Sequence, residues 1–581
     1  MRRRIGMARV AQLVVVLWGL APAGFSASTA KATVIVTNAR VYTENAKQPW
    51  AEAVAIGGDT ILAVGSREKI EAFRAKNTQI IDAHGQLVLP GFTDSHFHLI
   101  EGSRTLTQVD LNGTTSIAEV QQRVKEFAAS HPNASWITGR GWSYEIFGEA
   151  ALPDKKYLDE VVADRPVYMV GYDGHTSWVN SKAMAVAGIT RNTPDPPNGW
   201  IVRDAKGEPT GALKEDADDL VGSRVQATRE EQLTALRRGL REANRAGLTR
   251  VICLGNSIPL VDDGSNIELY DELLRNGELT LRLYVSSYEG PPTLTQEQIA
   301  AVVEAKQKYH GDWLAAGAAK FYLDGVIESH TAAMLTPYSD DPKQIGSLRW
   351  DESEYKRAVV ELDKRGIQIF THAIGDRAVR LALDAYENAV KVNGTHDMRH
   401  RIEHIETITA QDIPRFGKLG VIASYQPLHA EPNDDTLKVW ARNAGADRAS
   451  RGWTWQSVAK TGGRLAFGSD WPVVTLSPWY GVQNAVTRQS LEGKPEGGWL
   501  PQERVSLEQA IEGYTLGAAF SGHREATEGS LKEGKLADLI VLDQDLFKIA
   551  PSEIHKTKVL LTMVGGKVVY QSAEMSVGSA K

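Results

Sequence analysis

Residues 87–98 read Leu87-Val88-Leu89-Pro90-Gly91-Phe92-Thr93-Asp94-Ser95-His96-Phe97-His98. The apolar start, 87–93, is a β-type run, and it leads into two histidines two residues apart. Side chains along an extended chain alternate between faces, so both imidazoles leave on the same side and can reach one ion. A His-x-His by itself is also met as two unrelated surface histidines, so the rest of the chain has to decide.

Seven further β-type runs lie at 248–254, 280–287, 316–322, 367–372, 400–405, 420–424 and 464–469. Helical patterns separate them. Thr228 and Glu231 form a capping-box pattern, Leu233, Leu236, Leu240 and Ala243 share one helical face, and Gly247 ends that helix. A second helix is predicted over about 353–366 and a third after Asp376. Strands alternating with helices predict the α/β class, and eight of them predict a (β/α)8 TIM-like barrel. In that fold the C-terminal strand ends converge on one mouth. His372 ends the run 367–371, His404 follows 401–403, and Asp470 follows 465–469. Four histidines and an aspartate at matched strand ends point to a metal site. Lys320 lies on the fourth strand. A lysine facing into a barrel is costly unless something uses it, whereas an outward-facing one would snorkel to solvent.

The barrel is expected over 91–524, with an insertion of about 102–226 after its first strand. That insertion carries its own helix (117–129) and apolar strand (166–171). Residues 33–90 and 525–575 hold short β-rich runs punctuated by glycine, and neither segment can bury a core alone. They are expected to form one small β-sandwich built from both chain ends. At the N-terminus Arg2, Arg3, Arg4 and Arg9 precede an apolar stretch, 10–21, and small residues, which reads as a signal peptide over 1–32. The rival is an uncleaved anchor, but the stretch is shorter than a spanning helix needs. Export across an inner membrane to the periplasm follows as the expected location. The 581-residue chain carries a net charge of −7, which gives no basis for nucleic-acid binding. Its one cysteine, Cys253, excludes an internal disulfide and sits in a run typical of a buried apolar residue.

The set His96, His98, Lys320, His372, His404 and Asp470 resembles the binuclear subtype of the amidohydrolase superfamily. More narrowly, the chain resembles the branch that includes N-substituted formamide deformylases and related metal-dependent hydrolases. LVLPGFTDSHFH, DGHTSWVNSKAM, AAKFYLDGVIESHTAAML, THAIGDRAV, RHRIEHIE, ASYQPLH, FGSDWPV and EGKLADLIVLD carry that resemblance over nearly everything after the leader. It implies two divalent metal ions, zinc before manganese, iron or cobalt, and a carbamate on Lys320. His96, His98, carbamylated Lys320 and Asp470 would hold the first ion, and Lys320, His372 and His404 the second. The implied activity is hydrolysis of an amide, N-acyl or N-formyl bond by a metal-bridging hydroxide, with Asp470 as catalytic proton carrier. His175, on the insertion, is a second catalytic candidate that would bond the oxyanion or substrate; fixing its own loop is the other reading. Glu215 also matches the family pattern, without an assigned role.

Trp142, Trp178, Trp200, Trp471 and Trp479 are candidates for an apolar pocket suited to a bulky or aromatic substrate, against a plain core role. His330 is a further candidate substrate contact, at a position near which an arginine is usual in this branch. Three rival functions stay open. A mononuclear deaminase would place a glutamate where Gly375 stands. A lactone or ester hydrolase would use the same site. A non-catalytic periplasmic binding protein would be expected to have lost a ligand. The expected partners are a small-molecule substrate and at most a second copy of the chain, with no membrane contact after leader removal.

Overall fold

The computed structural model describes residues 30–148, 152–171, 176–196, 199–215, 217–225, 227–256 and 267–575. The expected leader, up to residue 29, and His175 lie outside them. Eight parallel strands form the central sheet: β1 (Phe92–Phe97), β2 (Leu248–Asn256), β3 (Arg282–Glu289), β4 (Leu314–Tyr322), β5 (Gln368–Ala373), β6 (Arg401–His404), β7 (Ile422–Tyr425) and β8 (Arg464–Phe467). Each pairs with its chain neighbour, in sequence order from β1 to β8. Just past β8 the chain returns to β1: the Asp470 N–H donates to the His96 carbonyl at 2.8 Å, and the His98 N–H to the Trp471 carbonyl at 3.0 Å. The sheet is thus drawn into a (β/α)8 barrel.

Helices cover the outside for the reasons the pattern gave. The helix Arg229–Arg245 starts at a complete capping box between Thr228 and Glu231 and buries Leu233, Leu236, Leu240 and Ala243. Glu352–Lys364 and Asp376–Asn393 follow the same logic. Cys253 is buried on β2, as expected of a small apolar residue.

The run 87–93 is not one strand. Leu87–Pro90 belongs to a different, six-stranded sheet, between Arg40–Tyr42 and Leu539–Leu542, and the barrel begins at Phe92. The chain crosses between the sheets at Gly91, where a Cβ would lie 2.2 Å from the Thr249 methyl carbon. Only glycine fits so close an approach. An unbroken apolar run cannot reveal such a crossing, because both strands are buried.

That six-stranded sheet combines both chain ends. It shares an apolar core with a four-stranded sheet of 34–82, through Val36, Val54, Ile81, Val88, Leu539 and Leu561. The insertion folds around a six-stranded sheet of its own, with the helix Ile117–Ser130 burying Val120, Val124 and Ala128 against it. Among the described residues no helix is long and apolar enough to cross a membrane.

Candidate metal centre

Three of the six expected ligands crowd around the carboxylate of a fourth, Asp470. Asp470 Oδ1 lies 3.2 Å from His96 Nε2 and 3.0 Å from His98 Nε2, and Asp470 Oδ2 lies 4.0 Å from His404 Nδ1. Ligand atoms of His96, His404 and Asp470 all fall within 4.8 Å of one another, a group able to hold a metal ion. The His372 ring centre is 4.5 Å from that of His404 and extends the cluster. The spacing of His96 and His98 follows from strand alternation. His404 and Asp470 need more than that. Both take positive φ, 74° and 62°, a conformation that costs a non-glycine residue energy and concentrates at functional sites.

Electrostatics favour neutral His372 and His404 beside an ionised carboxylate, whereas burial of His98 is outweighed by its bond to Asp470, which raises its pKa. Burial holds the His372 pKa down to about 3, helped by the Lys320 charge. Burial, together with His372 and His96, also holds His404 well below its ordinary range. Burial opposes the charge on Asp470, yet His96 and His98 outweigh it and keep this carboxyl well below the usual carboxylate pKa. Neutral imidazole and carboxylate are the ligand forms a divalent cation requires.

Lys320 stands on the inner face of β4, 0% exposed, and its Nζ has no hydrogen-bond partner among the described residues. The nitrogen sits 4.8 Å above the Tyr322 ring. Burial pulls its pKa down to about 8.

Sequence reading missed the layer beneath. His96 Nδ1 lies 2.8 Å from Glu403 Oε2, and Arg401 donates to both Glu403 oxygens at 2.9 Å. The ring is thereby turned so that Nε2 faces the cluster, the usual carboxylate brace behind a metal-binding histidine. Arg401 and Glu403 alternate with the apolar Ile402, a sign that both face the barrel axis. Two residues of the turn after β7 were also missed. His429 Nε2 lies 3.9 Å from Asp470 Oδ2, and its ring is parallel to that of His404. Gln426 is buried beside it in sequence, at the start of the same turn.

The tryptophans separate. Trp142 and Trp178 are not pocket walls: both are fully buried in the insertion's own core, where their Nε1 groups donate to the Met169 and Asp154 carbonyls. Trp479 packs against Phe92, and Trp200 is exposed on an insertion strand. Trp471 follows Asp470 directly and lies on Phe97, with ring centres 5.0 Å apart. His330 also has positive φ, and its Nε2 is held 3.0 Å from both oxygens of Asp340. Glu215 ends an insertion strand, Pro209–Glu215.

Comparison with known proteins agrees with this arrangement. The family model described as "Amidohydrolase family" matches residues 79–570. The protein LONG AFTER FAR-RED 3 of Arabidopsis thaliana is 33% identical, over 93% of this chain and 92% of its own. The N-substituted formamide deformylase of Arthrobacter pascens is 27% identical, over 93% of this chain and 98% of its own. An uncharacterized metal-dependent hydrolase from Pyrococcus furiosus, 25% identical, superimposes with a TM-score of 0.72, covering 89% of this chain and 100% of that one. A barrel whose mouth gathers histidines and an aspartate, and a family match along most of the sequence, lead to one conclusion: this chain is a metal-dependent hydrolase of the amidohydrolase family.

Proposed function

We propose that the enzyme hydrolyses a carbon–nitrogen bond, in an amide, N-acyl or N-formyl group of a small substrate, with two divalent cations, zinc first among them. His96, His98 and Asp470 would hold one ion, His372 and His404 the other, and a carbamate on Lys320 both. The observation that carries this reading is Lys320. An amine that is fully buried and without a hydrogen bond among the described residues is costly as it stands. Burial lowers its pKa, which raises the share of neutral amine. Neutral amine adds carbon dioxide, forming an N–C bond and releasing a proton, and the product carries two oxygens that can each meet a cation. The name of the Arthrobacter relative supports action on a carbon–nitrogen bond.

Bound divalent cations supply hydroxide at neutral pH and polarise a carbonyl. The side chains do the rest. Asp470, kept ionised by its histidines, accepts the proton of the attacking group and delivers it to the departing nitrogen, since an amine leaves poorly unless protonated. Glu403 fixes the His96 tautomer. His175 would donate to the developing oxyanion, and Trp471 and His330 would shape the substrate end of the mouth.

The test is metal analysis of protein produced with bicarbonate, alongside a hydrolysis screen of N-formyl amines, N-acyl amines, lactones and esters. Two ions per chain and release of amine are expected. Lys320→Ala should lose one ion and the activity. Full activity in that variant would overturn the binuclear reading.

A further inference from the structure

The turn after β7 holds three buried polar atoms that bond to nothing among the described residues: Gln426 Nε2, Gln426 Oε1 and His429 Nε2. Gln426 is only 1% exposed, and the His429 side chain 13%. A buried donor or acceptor left unmet forfeits its hydration without return, so three within four residues call for a reason.

Register shows where Gln426 lies. His372, Glu403 and Ser424 are partners across β5, β6 and β7, and neighbours in a parallel sheet share a face. Glu403 braces His96, and the Ser424 hydroxyl lies 3.0 Å from Arg401 Nη2, so that face is the inner one. Gln426 comes two residues after Ser424, with extended backbone (φ −111°, ψ 92°). It therefore continues the inner face one layer higher, at the mouth. The turn is braced: the His429 N–H donates to the Gln426 carbonyl at 3.0 Å, and Asn484 Nδ2 donates to the Pro427 carbonyl. His429 meanwhile points its Nε2 at Asp470 Oδ2 across 3.9 Å, too far for a direct hydrogen bond.

We propose that Gln426 and His429 bind the substrate's scissile group, and that Gln426 selects substrates with an N–H on that group. A carboxamide side chain offers one acceptor and two donors. A secondary amide or N-monosubstituted formamide offers an N–H for Oε1, while its carbonyl oxygen, on the opposite side of the trans C–N bond, is left to other groups of the mouth. Esters, lactones and N,N-disubstituted amides have no N–H, and binding them leaves Oε1 without a partner. His429 Nε2 and Asp470 then flank the leaving nitrogen. This inference rests on the hydrolase reading above and narrows its substrate class.

The test compares kcat/KM for an N–H amide and its N-methyl counterpart, in the wild type and in Gln426→Met, a replacement of similar volume. The wild type should prefer the N–H substrate by about 100-fold, because a site built to hydrogen-bond a group rejects analogues lacking it. Gln426→Met should lose about 30- to 100-fold on the N–H substrate and under about threefold on the N-methyl one, with metal content and Tm unchanged. Equal use of both substrates by the wild type would overturn the inference without any variant. Equal losses on both in Gln426→Met would also overturn it. A wild type releasing amine from no amide would instead overturn the hydrolase reading, and this inference with it.

Discussion

The barrel buries charge at both ends and treats it in opposite ways. At its foot, Arg250 clasps Glu528 through two hydrogen bonds of 2.5 and 2.6 Å, and Arg282 clasps Asp538 through two of 2.7 and 3.1 Å. Asp538 also accepts the Gly565 N–H. Both pairs tie β2 and β3 to the C-terminal segment. At the mouth, Lys320, His404, Gln426 and His429 each keep a buried polar atom without a partner. At the foot each buried cation faces a carboxylate of the protein, although Arg250 Nη1 also lacks a hydrogen-bond partner among the described residues, whereas Lys320 at the mouth has neither an ion pair nor a hydrogen bond among them.

Three substitutions press on this contrast. Arg282→Ala should have the largest effect, about 3–5 kcal/mol of stability by denaturant unfolding, because it strands the Asp538 carboxylate in the interior. Metal content of the folded fraction should hold, and a loss under about 1 kcal/mol would break the contrast. Glu403→Gln comes next: chelator competition should show metal held about 10- to 100-fold more weakly, because the brace behind His96 is loosened, and Tm should fall as well, because the buried Arg401 guanidinium loses its counter-charge. A large Tm drop with unchanged metal affinity would move Glu403 to the structural group. The smallest effect belongs to Lys438→Ala, in an ion pair with Asp434 whose side chains are 72% and 81% exposed. No measurable shift in Tm is expected, because solvent screens such pairs.

The barrel and the cluster of His96, His98, His404 and Asp470 at its mouth were legible because each carries a periodic signal. Apolar runs between capped helices mark strands, and a ligand type at the end of several such runs needs the fold to explain it. Lys320 stood out for a similar reason, as a charge inside an apolar strand. The Leu87–Pro90 to Phe92–Phe97 crossing was not legible, since two buried strands in succession look like one. Gln426 and His429 escaped for a different reason. They sit in a short turn with no repeat, and only coordinates show that their polar atoms lack partners. Trp142 and Trp178 mark the converse error: proximity in sequence to a mouth segment does not tell a pocket wall from the packing of an insertion.

The crossing at Gly91 also bears on the order of assembly. Leu87–Pro90 lies between a strand near the start of the chain and Leu539–Leu542 near its end, and one residue later begins the strand carrying His96. The place of His96 is thus anchored from a segment synthesised almost last. A nascent chain can build helices and local strand pairs early, but it cannot fix this pivot until the ribosome has nearly finished. Enzymatic competence would then arrive in a single late step, and clipping the C-terminal strands would silence a centre that none of their side chains touches.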